Sequence, residues 1–362
     1  MQTRRAFIAL TAATAVSMPL SGCAGEGGDD YARAESQLRS RLSINPNFTD
    51  FIRLATLAPS GHNTQPWRFT PHISGITIRP DFTRRTKIVD PDDHHLFVSL
   101  GCAAENLLVA AAANGRPGVM VFNTDPEDRI DIDFVHGAAR IDARYPAILE
   151  SQSTRSNYDG RAISNDNLRL LESAADVPGV SVLLLTESSK RESILEYVIR
   201  GNDAQMGDPA FVEELRDWIR FNPSQALQMG DGLFTRCSGQ PTLPTWIGKR
   251  VFSRFFTKNA EDVKYARQVR SSAGVAILIG DKADKDHWVK VGRSFQRFAL
   301  QATALGIRHS LINQPVEVPS VRADFARWLG AGDVRPDLVV RFGYAAPTPM
   351  SMRREVSSVI VA

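Results

Sequence analysis

Residues 90–115 read DPDDHHLFVSLGCAAENLLVAAAANG, and residues 281–306 read DKADKDHWVKVGRSFQRFALQATALG. Set 191 positions apart, the two stretches share Asp90 with Asp281, Asp93 with Asp284, Val98 with Val289, Gly101 with Gly292, Ala111 with Ala302, Ala113 with Ala304 and Gly115 with Gly306. Unrelated sequence would give about one or two identities in such a window, so these mark a duplicated unit. In the first copy Asp90 is expected as N-cap with Pro91 at the first helical position, two further carboxylates facing the positive end of the dipole. The helix should run to about Asn114 and stop at Gly115, which can take the left-handed conformation. Its body, Leu96 to Ala113, is apolar on nearly every side and must be buried within protein.

Strand patterns follow each helix: Val119 to Phe122 and Ile130 to Phe134 in the first copy, and Leu338 to Phe342 in the second. Strands on either side of a buried helix make each copy an α+β lobe, one over 46–145 and the other over 146–362. The second is longer because residues 186–270 have no counterpart in the first. That insertion is helical in pattern around Ile194–Ile199 and Phe211–Phe221, then rich in aromatics, most of them expected to pack against the lobes. Its closing part, Trp246 to Phe252, combines bulky apolar groups with Gly248 as a possible hinge, the composition of a lid.

The chain has 362 residues, 43% of them hydrophobic and 23% charged, which excludes a mainly disordered or polytopic membrane protein. Its net charge of +3 gives no bulk attraction toward nucleic acid. Three cysteines, Cys23, Cys102 and Cys237, cannot build a disulfide framework or a Cys-rich zinc site. At the N-terminus, Arg4-Arg5 is followed by Phe7 and an apolar stretch too short to span a bilayer. The pair resembles a Tat export signal, and Leu20-Ser21-Gly22-Cys23 resembles a lipoprotein lipobox. Residues 1–22 then read as a signal peptide, Cys23 as a lipidated anchor, 23–45 as a tether, and the mature protein as a periplasmic or cell-surface lipoprotein.

Between apolar elements lies Pro59-Ser60-Gly61-His62-Asn63-Thr64-Gln65-Pro66-Trp67-Arg68-Phe69, a concentration of hydrogen-bonding groups suited to reading a polar heterocycle. With Ala58 in front, this segment resembles the signature of the nitroreductase-like FMN-binding family. Ser151-Gln152-Ser153-Thr154-Arg155 resembles that family's Arg-x-Ser/Thr-x-Arg segment, with Ser151 standing where the first Arg is usual. Leu338 to Tyr344 followed by Met352-Arg353-Arg354 resembles its C-terminal strand and phosphate-binding basic residue. A guanidinium can meet two phosphate oxygens at once, so Arg155 with Arg353 or Arg354 makes chemical sense.

The resemblance implies an α+β nitroreductase-like fold in which two tandem lobes form an intramolecular pseudo-dimer. One complete FMN site would lie between them, because the polar loop stands only in lobe one and the Arg segments only in lobe two. Leu311 to Glu317 resembles the Acg-like, fused branch, with a lid over the flavin. The implied cofactor contacts are Pro59, Ser60, Asn63, Gln65, Ser153, Arg155, Asn313, Gln314, Arg353 and Arg354. No side chain stands out as a general acid or base. His94-His95 beside Asp92 and Asp93 is not expected to bind a metal, because adjacent helical side chains point about 100° apart. No glycine-rich loop of the Rossmann or P-loop type is present.

The expected function is an exported flavin oxidoreductase passing electrons to an electron-poor small molecule. A protein that sequesters or stores FMN with little turnover is the alternative. The expected partners are a small-molecule acceptor and a membrane reached through the lipid, with the chain acting as a monomer.

Overall fold

The computed structural model describes residues 27–332 and 334–361. The expected export signal and lipidated Cys23 lie outside them. Strands β1 (Trp67–Pro71), β2 (Gly75–Pro80), β3 (Gly118–Asn123) and β4 (Arg129–Phe134) form an antiparallel sheet in the order β1-β2-β4-β3. Later come β5 (Val180–Leu185), the two-residue strands β6 (Ile219–Arg220) and β7 (Leu233–Phe234), then β8 (Gly274–Gly280), β9 (Arg308–Leu311) and β10 (Pro336–Gly343). The second sheet runs β5-β8-β10-β9, also antiparallel. Matching β1 to β5, β2 to β8, β3 to β9 and β4 to β10 makes the two orders identical, so the duplication read from one helix extends to the sheet topology.

The duplicated helices are His94–Ala113 and Lys285–Ala304. Both stop as their glycines predict, at Gly115 with φ +74° and Gly306 with φ +70°. They cross at the paired glycines, and the contact is reciprocal. A Cβ on Gly101 would lie 2.1 Å from the Val289 carbonyl oxygen, and one on Gly292 would lie 2.0 Å from that of Val98. Each residue meets the counterpart of the residue that meets it, the signature of a two-fold interface, here within one chain. One continuous core joins the lobes, including Phe51, Trp67 and Phe97 from the first and Phe295, Phe298 and Phe342 from the second. The helix His94–Ala113 is long and apolar enough to cross a membrane, yet 89% of its apolar window is buried in this core.

The two sheets differ in how they are covered. Every residue of β8 and β10 is buried, in keeping with the apolar run of β8 and the Leu338–Val340 stretch of β10, whose Asp337 and Arg341 are buried with them. A second apolar cluster, including Ile194, Val198, Val275, Ile277 and Phe325, covers the face away from the shared core. In the edge strand β3, by contrast, Val119 and Val121 are exposed. The difference follows from the connection between the first two strands of each sheet. His72–Ser74 suffices between β1 and β2, whereas residues 186–273 separate β5 from β8 and contain helices Ser188–Met206, Pro209–Asp217, Pro223–Met229, Thr245–Phe255 and Lys258–Arg270.

Three expectations are corrected. The first duplicated helix begins at His94 with Asp93 as N-cap, not at Pro91 with Asp90. Asp90 still serves that end, because its carboxylate accepts from the His95 and Leu96 amides at 3.0 Å each. The tether is in part a helix, Gly28–Leu38, docked through Tyr31. Tyr31 is buried against Phe234, Cys237 and Met352, and its hydroxyl donates to the Met350 carbonyl at 2.5 Å. Its alternation of polar and charged residues hid one apolar anchor. Lastly, Gly248 sits inside the helix Thr245–Phe255, where a Cβ would lie 2.3 Å from the Phe221 ring, so it is a close-packing position and not a hinge.

Candidate functional site

The polar loop leaves the helix Phe48–Thr56 and enters β1 through a short 3-10 turn, Gly61–Asn63. His62, Asn63 and Gln65 have φ of 46°, 55° and 54°, a region that costs non-glycine residues of order 1–3 kcal/mol each. Surrounding bonds hold them there. The Ser60 hydroxyl accepts from the Gln65 amide at 3.0 Å. The Asn63 amide donates to the carbonyls of Gly232 and Met352 at 3.0 and 3.2 Å, and that of Gln65 to Gly230 at 2.9 Å. In return the Gln65 carbonyl side-chain oxygen accepts from the Arg354 backbone at 2.9 Å. Asn63 and Gln65 therefore tie three regions together: the lobe-one loop, the insertion and the C-terminal segment.

Asp231 reinforces the same junction. It pairs with Arg220 at 2.6 Å and with Arg84, and the Arg84 guanidinium also donates to the Thr64 carbonyl at 2.5 Å. Arg84 and Arg220 both lie against the Trp218 ring. A second tie comes from Glu214, whose carboxylate accepts from the Ile88 and Val89 amides. The insertion thus lies against the loop through residues 230–232 and against the segment before the first duplicated helix through Glu214, while Trp246 is 70% exposed. Neither Asp231 nor Glu214 carries a sequence signal that separates it from the chain's other acids.

On the lobe-two side, the segment holding Ser153 and Arg155 runs parallel to β9 through a Ser153–His309 bridge. Arg341, fully buried in β10, donates to the carbonyls of Thr154 at 3.0 Å and Ser156 at 2.9 Å, and stacks 4.1 Å from the Tyr158 ring. It fixes the backbone on both sides of Arg155, whose guanidinium has no hydrogen-bond acceptor among the described residues. Burial disfavours the Arg155 charge, and Cys237, Tyr265 and Tyr158 are the neighbours that support it.

The loop and this segment lie within electrostatic reach of each other. Burial pushes the His62 imidazole down to about 4, and the charges of Arg155 and His95 push the same way. His95 is opposed by its own burial but raised overall by its hydrogen bond to Asp90 and by the charges of Asp90 and Glu317. Glu317 is raised by burial, and Tyr265, raised by burial, lies near both Glu317 and Arg155. His62, His95, Arg155, Tyr265, Gln314 and Glu317 therefore border one region between the lobes. Two buried atoms there, His62 Nδ1 and Gln314 Oε1, have no partner among the described residues. Beside this region, a cavity of about 210 Å³ is lined by Asp90, His95, Glu317, Arg322 and Arg335.

Other expected contacts are spent within the protein. Asn313 accepts from the Val339 amide at 3.0 Å and donates to His95 Nε2 at 3.1 Å. Arg353 donates to the Thr56, Leu57 and Ala58 carbonyls, capping the helix Phe48–Thr56. Arg354 donates to the Gln65 and Ser358 carbonyls. The two arginines hold the loop from behind, so of the three arginines expected at the site Arg155 is the one open to an anion. Pro59 and Ser60 are half-buried at the start of the loop.

The argument that His94 and His95 diverge is also corrected. Their rings meet edge to face at 4.6 Å, their Nδ1 atoms are 3.4 Å apart, and Asp90 Oδ1 is 3.4 Å from His95 Nδ1. The Asn313 amide, oriented by its bond from Val339, donates to His95 Nε2 and so leaves the ring proton on Nδ1, where a metal would need a lone pair. His94 Nε2 meets Asp337 at 2.8 Å, and burial pushes that carboxyl up to about 7. The cluster is a hydrogen-bonded chain linking the lobes.

His309, bridged to Ser153, is 2% exposed, and neither ring nitrogen has a partner among the described residues. Burial, with Arg308 nearby, pushes its pKa down to about 4, so it folds neutral. The unfolded chain binds a proton near 6.5 and the folded chain does not, so stability is complete above pH 6.5 and is lost as pH falls toward 4. Urea melts of His309→Leu should show a shallower loss of stability from pH 7 to pH 4.5 than the parent, and parallel profiles would refute this.

No family model matches the chain. A Mycobacterium tuberculosis H37Rv protein named "Putative NAD(P)H nitroreductase" is 27% identical over 336 residues, covering 88% of this chain and 94% of the relative. An uncharacterized protein of the same strain is 24% identical over 326 residues, covering 85% and 91%. Among solved structures, the FMN-dependent nitroreductase NfnB of Mycobacterium smegmatis is similar at 14% identity and a TM-score of 0.37, covering 56% of this chain and 87% of that one. A nitroreductase with bound FMN from Desulfitobacterium hafniense gives 12% and 0.37, covering 62% and 100%. The similarity to the two mycobacterial proteins runs through most of both chains.

Proposed function

We propose that this chain binds FMN between its lobes and passes electrons through it to an electron-poor small molecule. The observation that carries the reading is the convergence of unsatisfied groups on one inter-lobe region. His62 Nδ1 and Gln314 Oε1 are buried without partners, and the Arg155 guanidinium has no acceptor among the described residues. Buried polar atoms are nearly always satisfied, so such a set is matched by a polar ligand carrying an anionic group. When bound, FMN supplies the two-electron redox centre, and the protein supplies orientation and electrostatics. The strained loop of Ser60 to Gln65 would present its backbone to the ring, the neutral His62 would offer a hydrogen bond without a competing charge, and Arg155 would meet the phosphate.

Protein purified from flavin-replete cells should show a flavin absorption spectrum. Removing Arg155 as Arg155→Ala should weaken FMN binding by about 1.5–3 kcal/mol, the cost of leaving a phosphate charge unpaired. A colourless protein that takes up no added FMN would refute the reading. Mixing the holoprotein with NADH, NADPH or a small artificial reductant then separates turnover from storage: rapid bleaching followed by reoxidation with a nitroaromatic or quinone supports the oxidoreductase. A flavin that none of the three reduces would favour sequestration.

A further inference from the structure

Ser151 stands where the resemblance leads one to expect an arginine, and the structure brings another arginine against the backbone of that residue. Arg39 caps the C-terminal end of the helix Gly28–Leu38. Its Nη1 donates to the Leu149 carbonyl at 2.7 Å and to the Ser151 carbonyl at 3.4 Å. Arg53 grips the backbone on both sides of it, donating to the Leu38 and Ser40 carbonyls at 2.7 and 2.9 Å. The side chain is therefore set from two directions, over a backbone that reaches Arg155 four residues later.

The donors of Arg39 are only partly used. Its Nε is buried with no partner, and its Nη2 makes no hydrogen bond among the described residues. Nε and Nη2 form the edge of a guanidinium that meets two oxygens of a phosphate in parallel. The surroundings are cationic. Arg39 disfavours the charge on the buried Arg353, and Arg39, Arg155 and Arg353 all lie within electrostatic reach of Cys237. Glu35 is the carboxylate that supports the Arg39 charge, and burial raises its own pKa, which favours the neutral acid. An excess of positive charge held in a half-buried place with a vacant donor edge is costly unless an anion completes it.

We propose that Arg39 binds the phosphate of the flavin, filling from the N-terminal helix the place that Ser151 leaves vacant. This rests on the flavin reading. The helix Gly28–Leu38 is then part of the cofactor site, and the phosphate is gripped by Arg39 from outside the two lobes and by Arg155 from within the second.

The test compares FMN with riboflavin, which differ by the phosphate alone, on deflavinated full-length protein by quenching of flavin fluorescence. Arg39→Gln should weaken FMN by ~10-fold or more, in line with a charge-assisted pair, and leave riboflavin affinity within ~2-fold of the parent. Unchanged FMN affinity would overturn the proposal, as would an equal loss for both flavins, which marks Arg39 as an anchor of the fold only. Should Arg39→Gln not fold, Arg39→Lys keeps the charge while losing the paired donors, and the same ratio decides. Inorganic phosphate should also displace FMN from the parent more effectively than from Arg39→Lys. A parent that binds neither flavin would remove the flavin reading itself, whereas a parent that binds FMN and riboflavin equally would overturn the phosphate grip alone.

Discussion

Gly101→Ala is expected to lose about 3 kcal/mol of stability, the upper range for overpacking, because the added carbon has nowhere to go. It would lie 2.1 Å from the Val289 carbonyl oxygen, a backbone atom in the second turn of a 20-residue helix. The two central helices would have to part, and with them the core shared by the lobes. Gly292→Ala meets Val98 in the same way at 2.0 Å and should cost a similar amount. The double variant should cost less than the sum of the two, since helices already parted by one substitution accommodate the other. Denaturant melts of the four proteins check both the magnitude and the coupling. A midpoint for either single variant within error of the parent would refute the close crossing.

Asp231→Ala should be at least as damaging, at about 3–5 kcal/mol, because removing one partner of a buried ion pair leaves the other charge stranded. Arg220 is the stranded partner; its side chain is 5% exposed and takes both of its closest carboxylate bonds from Asp231. Arg84 loses its carboxylate too, and Arg84 also holds the Thr64 carbonyl of the polar loop. The effect should therefore reach beyond stability. Protease cleavage within residues 214–245 should become faster than in the parent, and a strained loop released from its support should bind flavin more weakly. Asp231→Asn, which keeps the shape and some hydrogen bonding, should be intermediate in both. Equal cleavage rates for Asp231→Ala and the parent would show that this ion pair does not hold the insertion down.

The same residues show how far local reading goes. Gly115 and Gly306 end their helices as predicted because a left-handed residue after an apolar run is a local event, settled by the chain's own backbone. The start was misplaced because Asp90, Asp92 and Asp93 are all competent caps by themselves. The structure divides the work: Asp93 takes the boundary position with its carboxylate on Arg85 at 2.9 Å, while Asp90 supplies the carboxylate that accepts the first amides. The lobe-one loop was legible by its composition, yet its side chains proved largely occupied in holding the loop to the insertion and the C-terminus.

What the sequence alone determined was the repeat, the α+β class, the two buried helices and the loop with its strand. Each depends on periodicity, caps or identities that survive without knowing any distant neighbour. Only the tertiary structure decided which polar groups are spent and which are open. Arg353 and Arg155 look alike in sequence, but one has its donors on the Thr56, Leu57 and Ala58 carbonyls and the other has no acceptor among the described residues. Arg39 lies 112 positions before Ser151, the residue whose place it fills. A guanidinium's role depends on what surrounds it in space, and long-range contacts of that kind leave no period, spacing or cap in the chain that brings them together.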